Sequence, residues 1–537
     1  MNKRIFIKEW LELKPYSKQT ATDSFYLKVC NDVKKTITTS RYSFILQQYL
    51  NKNGINLLAC FLTSYLEDLV SETNIWKSFV NAHFRLYKKQ LPFYNLDEYY
   101  EDEVNIQDIS FLIWYFICTI QDEDFIDPFN EFIAGIAEEI MEVFDTAWEF
   151  APENNQLKSH YEIDENEDDY FVARNLIDTI LFETYLFYPD SAYKLINSEL
   201  ETIEDKKEDD NLMLYIYENR DHALHSTHTH LLSFTGKEWA SEILSSGHAL
   251  KKDFLNTSKK ITGLFLYKGQ DESNIYIEHI ASGKKFDVTK KSFDNSDWLK
   301  EVDEILFMGI TKWKGKWWFS GVFFKESFDA DIILDEKNSL ISRAAVNFLD
   351  HQGSDTDELL EKHLAAFMQF NNNSQIAFLP SEDIECFVKE YNDFFNKTLN
   401  LTEKQIKETI QRANEDGYFG SEMEPINFAE EFESGLVFFN PKSGCEIAMS
   451  VNSAFPSASN PFYDEELSDE HIVRLLTDDS LSTELAMFCI DNFKNKLPFF
   501  KERIGKGYLN DIDFLLRFWK ADNYHTIPSI SYTGQEE

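Results

Sequence analysis

The chain has 537 residues, with 94 acidic side chains against 52 Lys and Arg, so its formal net charge is −42. Hydrophobic residues make up 43% of the chain and aromatic residues 15%, a composition that excludes a disordered protein. The excess of carboxylates repels phosphate backbones and anionic membranes, which argues against a nucleic-acid binder that uses its whole surface.

Residues 1–250 are predicted to form an acidic helical domain, because apolar residues recur there at spacings of three and four, as in Leu62, Tyr65, Leu66 and Leu69. The apolar run from Ile109 to Ile120 is too short to span a bilayer and predicts a buried helix. We therefore expect no membrane contact. The six cysteines lack a C-x-x-C pair, and apolar neighbours around several of them indicate buried thiols in a reducing cytoplasm.

The first domain also contains a long stretch in which every charged residue is acidic. Residues 90–157 hold no Lys, Arg or His, and 17 of these 68 residues are acidic. This pattern is typical of a solvated surface, and it also fits a docking face for a basic protein partner. The residues predicted for this acidic docking face are Asp97, Glu98, Glu101, Asp102, Glu103, Asp122, Glu123 and Asp124.

Residues 251–345 are predicted to form a small β-barrel module. Five short β-rich segments lie between residues 261 and 323, separated by turn pairs such as Ser282-Gly283 and Lys314-Gly315. That number and length of strands is typical of a barrel of SH3 or OB size.

Residues 346–537 are predicted to form a C-terminal helical domain with a β hairpin near 435–450. The hairpin is indicated by two apolar runs around the turn from Asn440 to Gly444. The predicted fold class is therefore α+β: a multidomain, predominantly α-helical chain with a small central β barrel and a C-terminal α/β-hairpin region.

Four of the twelve histidines fall within nine residues: His222, His225, His228 and His230. Imidazole is the commonest ligand of zinc and related divalent metals, so this cluster predicts a metal site, with Asp221 as a further ligand. The alternative is a polar helix end or loop with ordinary histidines. The spacing of the histidines favours this alternative over a metal site, because no single helix or strand geometry aligns all four side chains.

The barrel carries a second candidate site. Between Leu250 and Lys325 there are 14 Lys, no Arg and 10 acidic residues, a local charge of +4. Cations alternate with aromatic residues in one segment, the composition that single-strand binders use for backbone contact and base stacking. The residues of this Lys/Trp segment are Lys312, Trp313, Lys314, Lys316, Trp317 and Trp318. Two alternatives remain: the tryptophans are core and rim residues of the barrel, and the lysines face the acidic helical half of the same molecule.

The sequence shows no phosphate-binding loop, no G-x-G-x-x-G and no G-x-S-x-G, so no catalytic residue can be named. The first functional hypothesis is a non-catalytic cytoplasmic adaptor that binds a protein partner through the acidic docking face. The alternatives are a metal-dependent, hydrolase-like enzyme that uses the histidine cluster, and an RNA or single-strand nucleic-acid binder that uses the Lys/Trp segment.

Two resemblances accompany these patterns. The opening (Lys8-Glu-Trp10, Lys14-Pro15-Tyr16, Thr22-Asp23) and the closing half (Phe438 to Gly444, Asp511 to Trp519) resemble an uncharacterised family of gut Bacteroidota proteins. That likeness implies a source and no activity. Residues 275–321 are similar to the small β module that accompanies some SEC-C zinc proteins, through Glu278 to Val288 and Gly315 to Gly321. The Cys-rich zinc motif of those proteins is absent here, so no metal is implied.

Overall fold

The computed structural model describes residues 4–96, 98–121, 125–293, 295–296, 298–339, 342–343, 346, 354–398, 402–404, 407, 432–501 and 503–526. The chain divides into two units, Met1–His351 and Gln352–Glu537. The architecture is α+β, with many helices, a closed barrel and a smaller sheet, as the sequence predicts.

The described part of the first unit begins with thirteen α-helices. They are α1 Ile7–Leu11, α2 Asp23–Thr39, α3 Ser43–Tyr49, α4 Lys52–Ser71, α5 Ile75–Tyr87, α6 Ile106–Gln121, α7 Glu131–Trp148, α8 Asn155–Ser159, α9 Tyr170–Glu183, α10 Tyr193–Lys206, α11 Leu212–Ser226, α12 Gly236–Ile243 and α13 Lys251–Leu255. A 3-10 turn at Tyr185–Phe187 and a π turn at Tyr188–Ala192 connect α9 to α10. The run predicted to be a buried helix lies in α6, whose residues from Asp108 to Thr119 are all buried. No helix among the described residues is long and apolar enough to cross a membrane.

A buried polar network holds the N-terminal segment against α2 and α4. The indole nitrogen of Trp10 donates to Asp23 over 2.8 Å, and the Lys14 ammonium pairs with the Glu67 carboxylate. Tyr16 donates to the same Asp23 over 3.1 Å. Trp10, Lys14, Tyr16 and Asp23 all belong to the opening residues that carry the family resemblance. These polar residues therefore have a structural role in the interior.

The barrel consists of β1 Ile261–Gln270, β2 Asn274–His279, β3 Lys285–Thr289, β4 Ile305–Trp313 and β5 Lys316–Glu326. A 3-10 turn at Lys290–Ser292 follows β3. The strands close in the order β1-β2-β3-β5-β4, and β4 pairs with β1. All pairs are antiparallel except β3 with β5, which run parallel at Val288 and Trp317. The five predicted β-rich segments are confirmed as these strands.

The two faces of β5 pack against different partners. Trp317 and Phe319 pack on the barrel core around Phe265, Ile277 and Phe286. The alternate residues Trp318 and Ser320 point out of the barrel, where Trp318 contacts Tyr170 and Phe171 of α9. Because side chains alternate along a strand, a strand covered on both faces is apolar throughout. This packing attaches the barrel to the helices of the first unit.

Helix α14, Ala330–Asn338, follows the barrel. The second unit contains α15 Ser354–Phe370, β6 Ile376–Pro380, α16 Ser381–Thr398, β7 Ser434–Asn440, β8 Gly444–Met449, α17 Ser468–Thr477, α18 Thr483–Phe493, α19 Arg503–Tyr508 and α20 Ile512–Trp519. Short 3-10 turns lie at Asn452–Ala454, Pro498–Phe500 and Leu509–Asp511. The predicted hairpin is confirmed as β7 and β8, and β6, in a region predicted to be helical, adds a third strand in the order β6-β7-β8.

The sheet of the second unit lies between two helical layers. Leu436 and Phe438 of β7 pack in a core that includes residues of α17 and α18. Val437 and Phe439 pack on the other side with residues of α15 and α16. The continuous apolar run in β7 follows from this two-sided burial.

Candidate nucleic-acid interface on the barrel

Two tight turns form the rims of a cleft on the barrel. In the β1–β2 turn, the Asp271 carboxylate accepts hydrogen bonds from the amides of Ser273 and Asn274, each over 2.7 Å. The β4–β5 turn consists of Lys314 and Gly315, which have φ of 45° and 79°. Two residues with positive φ form the hairpin turn whose twist matches the flanking strands. Both rims are therefore set by local sequence.

The cleft has a volume of about 670 Å³ and is lined by residues 272–274, 285–287, 289–291 and 315–317. These ranges are the β1–β2 turn, strand β3 with the 3-10 turn after it, and the start of β5 with the turn before it. The parallel pairing of β3 and β5 brings them together, although 28 residues lie between Val288 and Trp317 in the sequence.

Charge and aromatic surface meet in this cleft. Four lysines line it, together with the two carboxylates of Glu272 and Asp287. The lysines are Lys285, Lys290, Lys291 and Lys316. Trp317 is half-buried, and its ring packs edge-on against Phe286, with ring centroids 4.9 Å apart. The cleft thus has a cationic lining within an acidic protein.

The structure separates the residues of the Lys/Trp segment into two groups. Lys316 and Trp317 line the cleft, and Lys312 lies close by, with its ammonium 5.8 Å from the centre of the Trp317 ring. Trp313 and Trp318 are buried, which corrects the prediction that they present rings for stacking. Lys314 extends instead to Asp168, in the loop before α9, over 3.0 Å, so this lysine faces the acidic helical half of the molecule as the alternative predicts.

A second polar cluster joins the barrel to the helices. Asp221 of α11 is buried, and its carboxylate pairs with Arg174 and Lys260, each over 2.7 Å. Ser320 of β5 donates to the same carboxylate over 2.9 Å. Burial raises the pKa of Asp221, but the charges of Lys260 and Arg174 outweigh it and hold the pKa below its usual value.

This cluster contains a serine, a histidine and an aspartate, yet it does not form a nucleophilic triad. His225 Nε2 lies 3.3 Å from the Ser320 hydroxyl and 2.9 Å from the Tyr170 hydroxyl. In a triad the histidine stands between the serine and the carboxylate, whereas here Ser320 contacts Asp221 directly. Ser320 is also fully buried, so the cluster has a structural role between barrel and helices.

The four clustered histidines have separate surroundings. His222 is exposed, His225 is in the cluster with Ser320, and His230 pairs with Asp190 over 2.7 Å. His228 forms an isolated backbone bridge with Thr235. Within the described part of the chain, no three His, Cys, Asp or Glu side chains are grouped so that they could hold a metal ion.

The described part of the acidic docking face lies between α5 and α6. Its members Glu98, Glu101, Asp102 and Glu103 are exposed around Tyr100, which is 54% exposed. Lys77 pairs with Asp102 over 2.8 Å. The other predicted members, Asp97, Asp122, Glu123 and Asp124, lie outside the described residues.

Comparison with known proteins finds a match to one protein family. No curated protein and no solved structure matches the chain. A family with the description "Protein of unknown function (DUF3843)" matches residues 4–280, which include α1 to α13 and the first two barrel strands. Since this match covers more than half of the sequence, the chain belongs to the DUF3843 family of proteins of unknown function.

Proposed function

We propose that the barrel cleft binds single-stranded nucleic acid. The observation that carries the proposal is the convergence of four lysines and the half-buried Trp317 on one cleft. Lysines provide contacts to phosphates, and an aromatic ring provides a surface on which a base stacks.

The position of the cleft supports the same proposal. A five-stranded barrel closed in the order β1-β2-β3-β5-β4 has the topology of an OB-fold. OB-folds bind oligonucleotides and oligosaccharides on the β2–β3 face, between the β1–β2 and β4–β5 loops. The cleft occupies this place, and its lysines favour the oligonucleotide. The fold likeness is an analogy, so the chemistry of the side chains carries the argument.

The net charge of −42 limits how the protein can bind a polyanion. At about 0.1 M salt the Debye length is about 10 Å, so repulsion by distant carboxylates is largely screened. The lysines in the cleft act at contact distance and keep their effect. We therefore expect a short binding site that does not extend over the acidic helices.

The first experiment measures fluorescence anisotropy of a labelled oligothymidylate of about 12 nucleotides, within the usual site size of such barrels. Three or four lysine–phosphate contacts should give log Kd a slope of about 2–3 against log salt concentration. The double variant Lys290→Glu/Lys316→Glu should lower this slope by about 1.4 or more and weaken binding. The matched control is Lys252→Glu/Lys300→Glu, which changes the net charge equally at exposed lysines that do not line the cleft.

The second experiment separates stacking from charge. Trp317→Leu keeps an apolar contact for Phe286 and removes the indole, so it should weaken oligothymidylate binding by about 1–3 kcal/mol. Binding of an abasic strand of the same length should not change, because that strand has phosphates and no bases. Trp298→Leu, at an exposed tryptophan outside the cleft, is the control. The proposal fails if wild-type protein does not bind the oligonucleotide, or if both double lysine variants bind alike.

A second candidate is the adaptor function predicted from the acidic docking face. The observation in its favour is the group of exposed carboxylates at Glu98, Glu101, Asp102 and Glu103 around Tyr100. A basic partner bound there should be retained at low salt by wild-type protein and lost with Glu101→Lys/Asp102→Lys. Retention by this variant would contradict the adaptor proposal.

Three further predictions concern the source of the family, the likeness of the barrel to another module and the location of the protein in the cell. The Bacteroidota source of the family, the likeness of the barrel to the module of SEC-C proteins and the cytoplasmic location stay predictions. The metal-dependent, hydrolase-like function has no grouped ligand set in the described ranges, so no observation favours it.

A further inference from the structure

Helix α10 exposes a stripe of large apolar side chains. Tyr193, Ile196, Leu200 and Ile203 are 45%, 40%, 57% and 40% exposed. Their spacings of three, four and three residues place them on one face of the helix. We call these four residues the α10 stripe.

The side of α10 that packs against the protein is largely polar. Within this fully described helix, Leu195 is the buried side chain. Ser198 and Asn219 of α11 exchange hydrogen bonds of 2.8 and 3.2 Å, and the Thr202 hydroxyl donates to the Ser198 carbonyl. A surface helix normally places its apolar stripe toward the core. In α10 the stripe points to solvent, which is typical of a protein–protein contact.

Carboxylates flank the α10 stripe on both sides. At 100° per residue, Glu199 and Lys206 lie on one flank, and Glu201, Glu204 and Lys194 lie on the other. Carboxylates are therefore in excess beside the stripe. The acidic turn Glu208–Asp210 follows the helix. An apolar seam with charged flanks is the pattern by which helices select a partner helix.

We infer that the α10 stripe binds an amphipathic helix of a partner protein whose flanking residues are basic. Charge complementarity selects this occupant: a second copy of the chain would place its glutamates against these glutamates, and an anionic membrane would be repelled. The fourteen residues of α10 extend about 21 Å, so the partner contributes about two heptads. This surface is separate from the barrel cleft, and neither proposal depends on the other.

The test uses the full chain and two labelled synthetic peptides of about three heptads, with Leu at a and d. One peptide has Lys at the e and g positions and the other has Glu there. Wild-type protein should bind the Lys peptide at least about tenfold more tightly than the Glu peptide, as measured by anisotropy.

Two variants examine the stripe and its flanks. Leu200→Gln/Ile203→Gln keeps every charge and should weaken binding of the Lys peptide at least about tenfold. Glu201→Lys/Glu204→Lys should reverse the preference toward the Glu peptide. Phe150→Gln, at a side chain that is 72% exposed outside α10, is the control and should bind like wild type. Circular dichroism shows that each variant is folded.

Three results would overturn the inference. Equal binding of the Lys peptide by wild type and Leu200→Gln/Ile203→Gln would show that only net charge attracts it. If sedimentation showed that wild type is a dimer and that the Leu200→Gln/Ile203→Gln variant is a monomer, the stripe would be assigned to contact with a second copy. If wild-type protein bound vesicles of anionic lipid and the same variant did not, the stripe would be assigned to a membrane surface.

Discussion

His222 and His225 lie three residues apart on α11 and have opposite surroundings. His222 is exposed, whereas the His225 ring is close to the hydroxyls of Tyr170 and Ser320. Burial lowers the pKa of His225 to about 4, although the Asp221 carboxylate acts in the opposite direction. The charges of Lys260 and Arg174 add to the lowering. His225 is therefore neutral in the folded protein at pH 7.

This difference predicts a pH dependence of stability. The unfolded chain takes up a proton at His225 near pH 6.5, and the folded chain does so only near pH 4, so stability falls as the pH decreases through this interval. At pH 5 the penalty is about 2 kcal/mol. His225→Gln should lose less free energy of unfolding between pH 7 and pH 5 than wild type, measured by urea denaturation. His222→Gln should behave like wild type. An equal loss in all three proteins would contradict the pKa assigned to His225.

The cysteines give a second prediction at the residue scale. Cys30, Cys60, Cys118 and Cys489 are buried, Cys445 is half-buried, and Cys386 is exposed. Burial raises the pKa of Cys445 to about 12, which keeps its thiol protonated and unreactive. A thiol reagent should therefore modify Cys386 in the native protein and the others only after unfolding. Cys386→Ser should abolish the native reaction, and rapid modification of this variant would show that another thiol is accessible.

Two of the barrel glycines with positive φ differ in the space that an added side chain would have. Gly321 and Gly283 both have positive φ, 87° and 68°. A Cβ at Gly321 would lie 2.3 Å from a Glu218 carboxylate oxygen and 2.8 Å from the Lys260 ammonium. A Cβ at Gly283 would have no atom within 4 Å. Gly321 thus allows β5 to approach the charged side chains next to α11.

Alanine substitution should therefore cost different amounts at these two positions. Gly283→Ala should lower the free energy of unfolding by about 1–2 kcal/mol, the cost of a left-handed alanine. Gly321→Ala should cost more, because it also displaces the buried Lys260 from its carboxylate partners. Urea denaturation of both variants gives the comparison. Equal costs would mean that the contact between the barrel and α11 adjusts to the added methyl group without a further loss of stability.

The elements with local signals could be predicted from the sequence, and β6 could not. The barrel strands each combine a β-rich run with a turn signal, as at Lys314-Gly315, and they lie where the sequence places them. Strand β6 has only five residues between two helices, and its partner β7 begins at Ser434. Such a pairing leaves no trace in local periodicity, because the stabilising neighbour is distant along the chain.

The candidate site could be predicted only in part, for a similar reason. Lys316 and Trp317 belong to a segment whose composition is visible in the sequence. Lys285, Lys290 and Lys291 join them because β3 lies beside β5, a neighbour relationship that depends on strand order. The alternation of cations and tryptophans also misleads, since Trp318 is buried against α9, whereas Trp317 packs at the barrel core, is only half-buried and lines the cleft.

At the scale of the whole molecule, the two proposed surfaces use opposite chemistry. The cleft gathers lysines within a chain of net charge −42, and the α10 stripe has carboxylates on both flanks. Raising the salt concentration weakens attraction at both surfaces and also screens the repulsion of nucleic acid by the acidic helices. The cleft variants and the stripe variants are therefore more informative about each surface than salt dependence alone.

Both surfaces lie in the unit Met1–His351, which has its own barrel core. The unit Gln352–Glu537 has separate cores on the two sides of its sheet. A unit with its own core can fold alone, so residues 1–351 and 352–537, expressed separately, should each unfold cooperatively on heating. The fragment 1–351 should bind the labelled oligothymidylate with the affinity of the full chain, and 352–537 should not bind it. Loss of binding by a folded 1–351 fragment would show that the cleft is incomplete without the second unit.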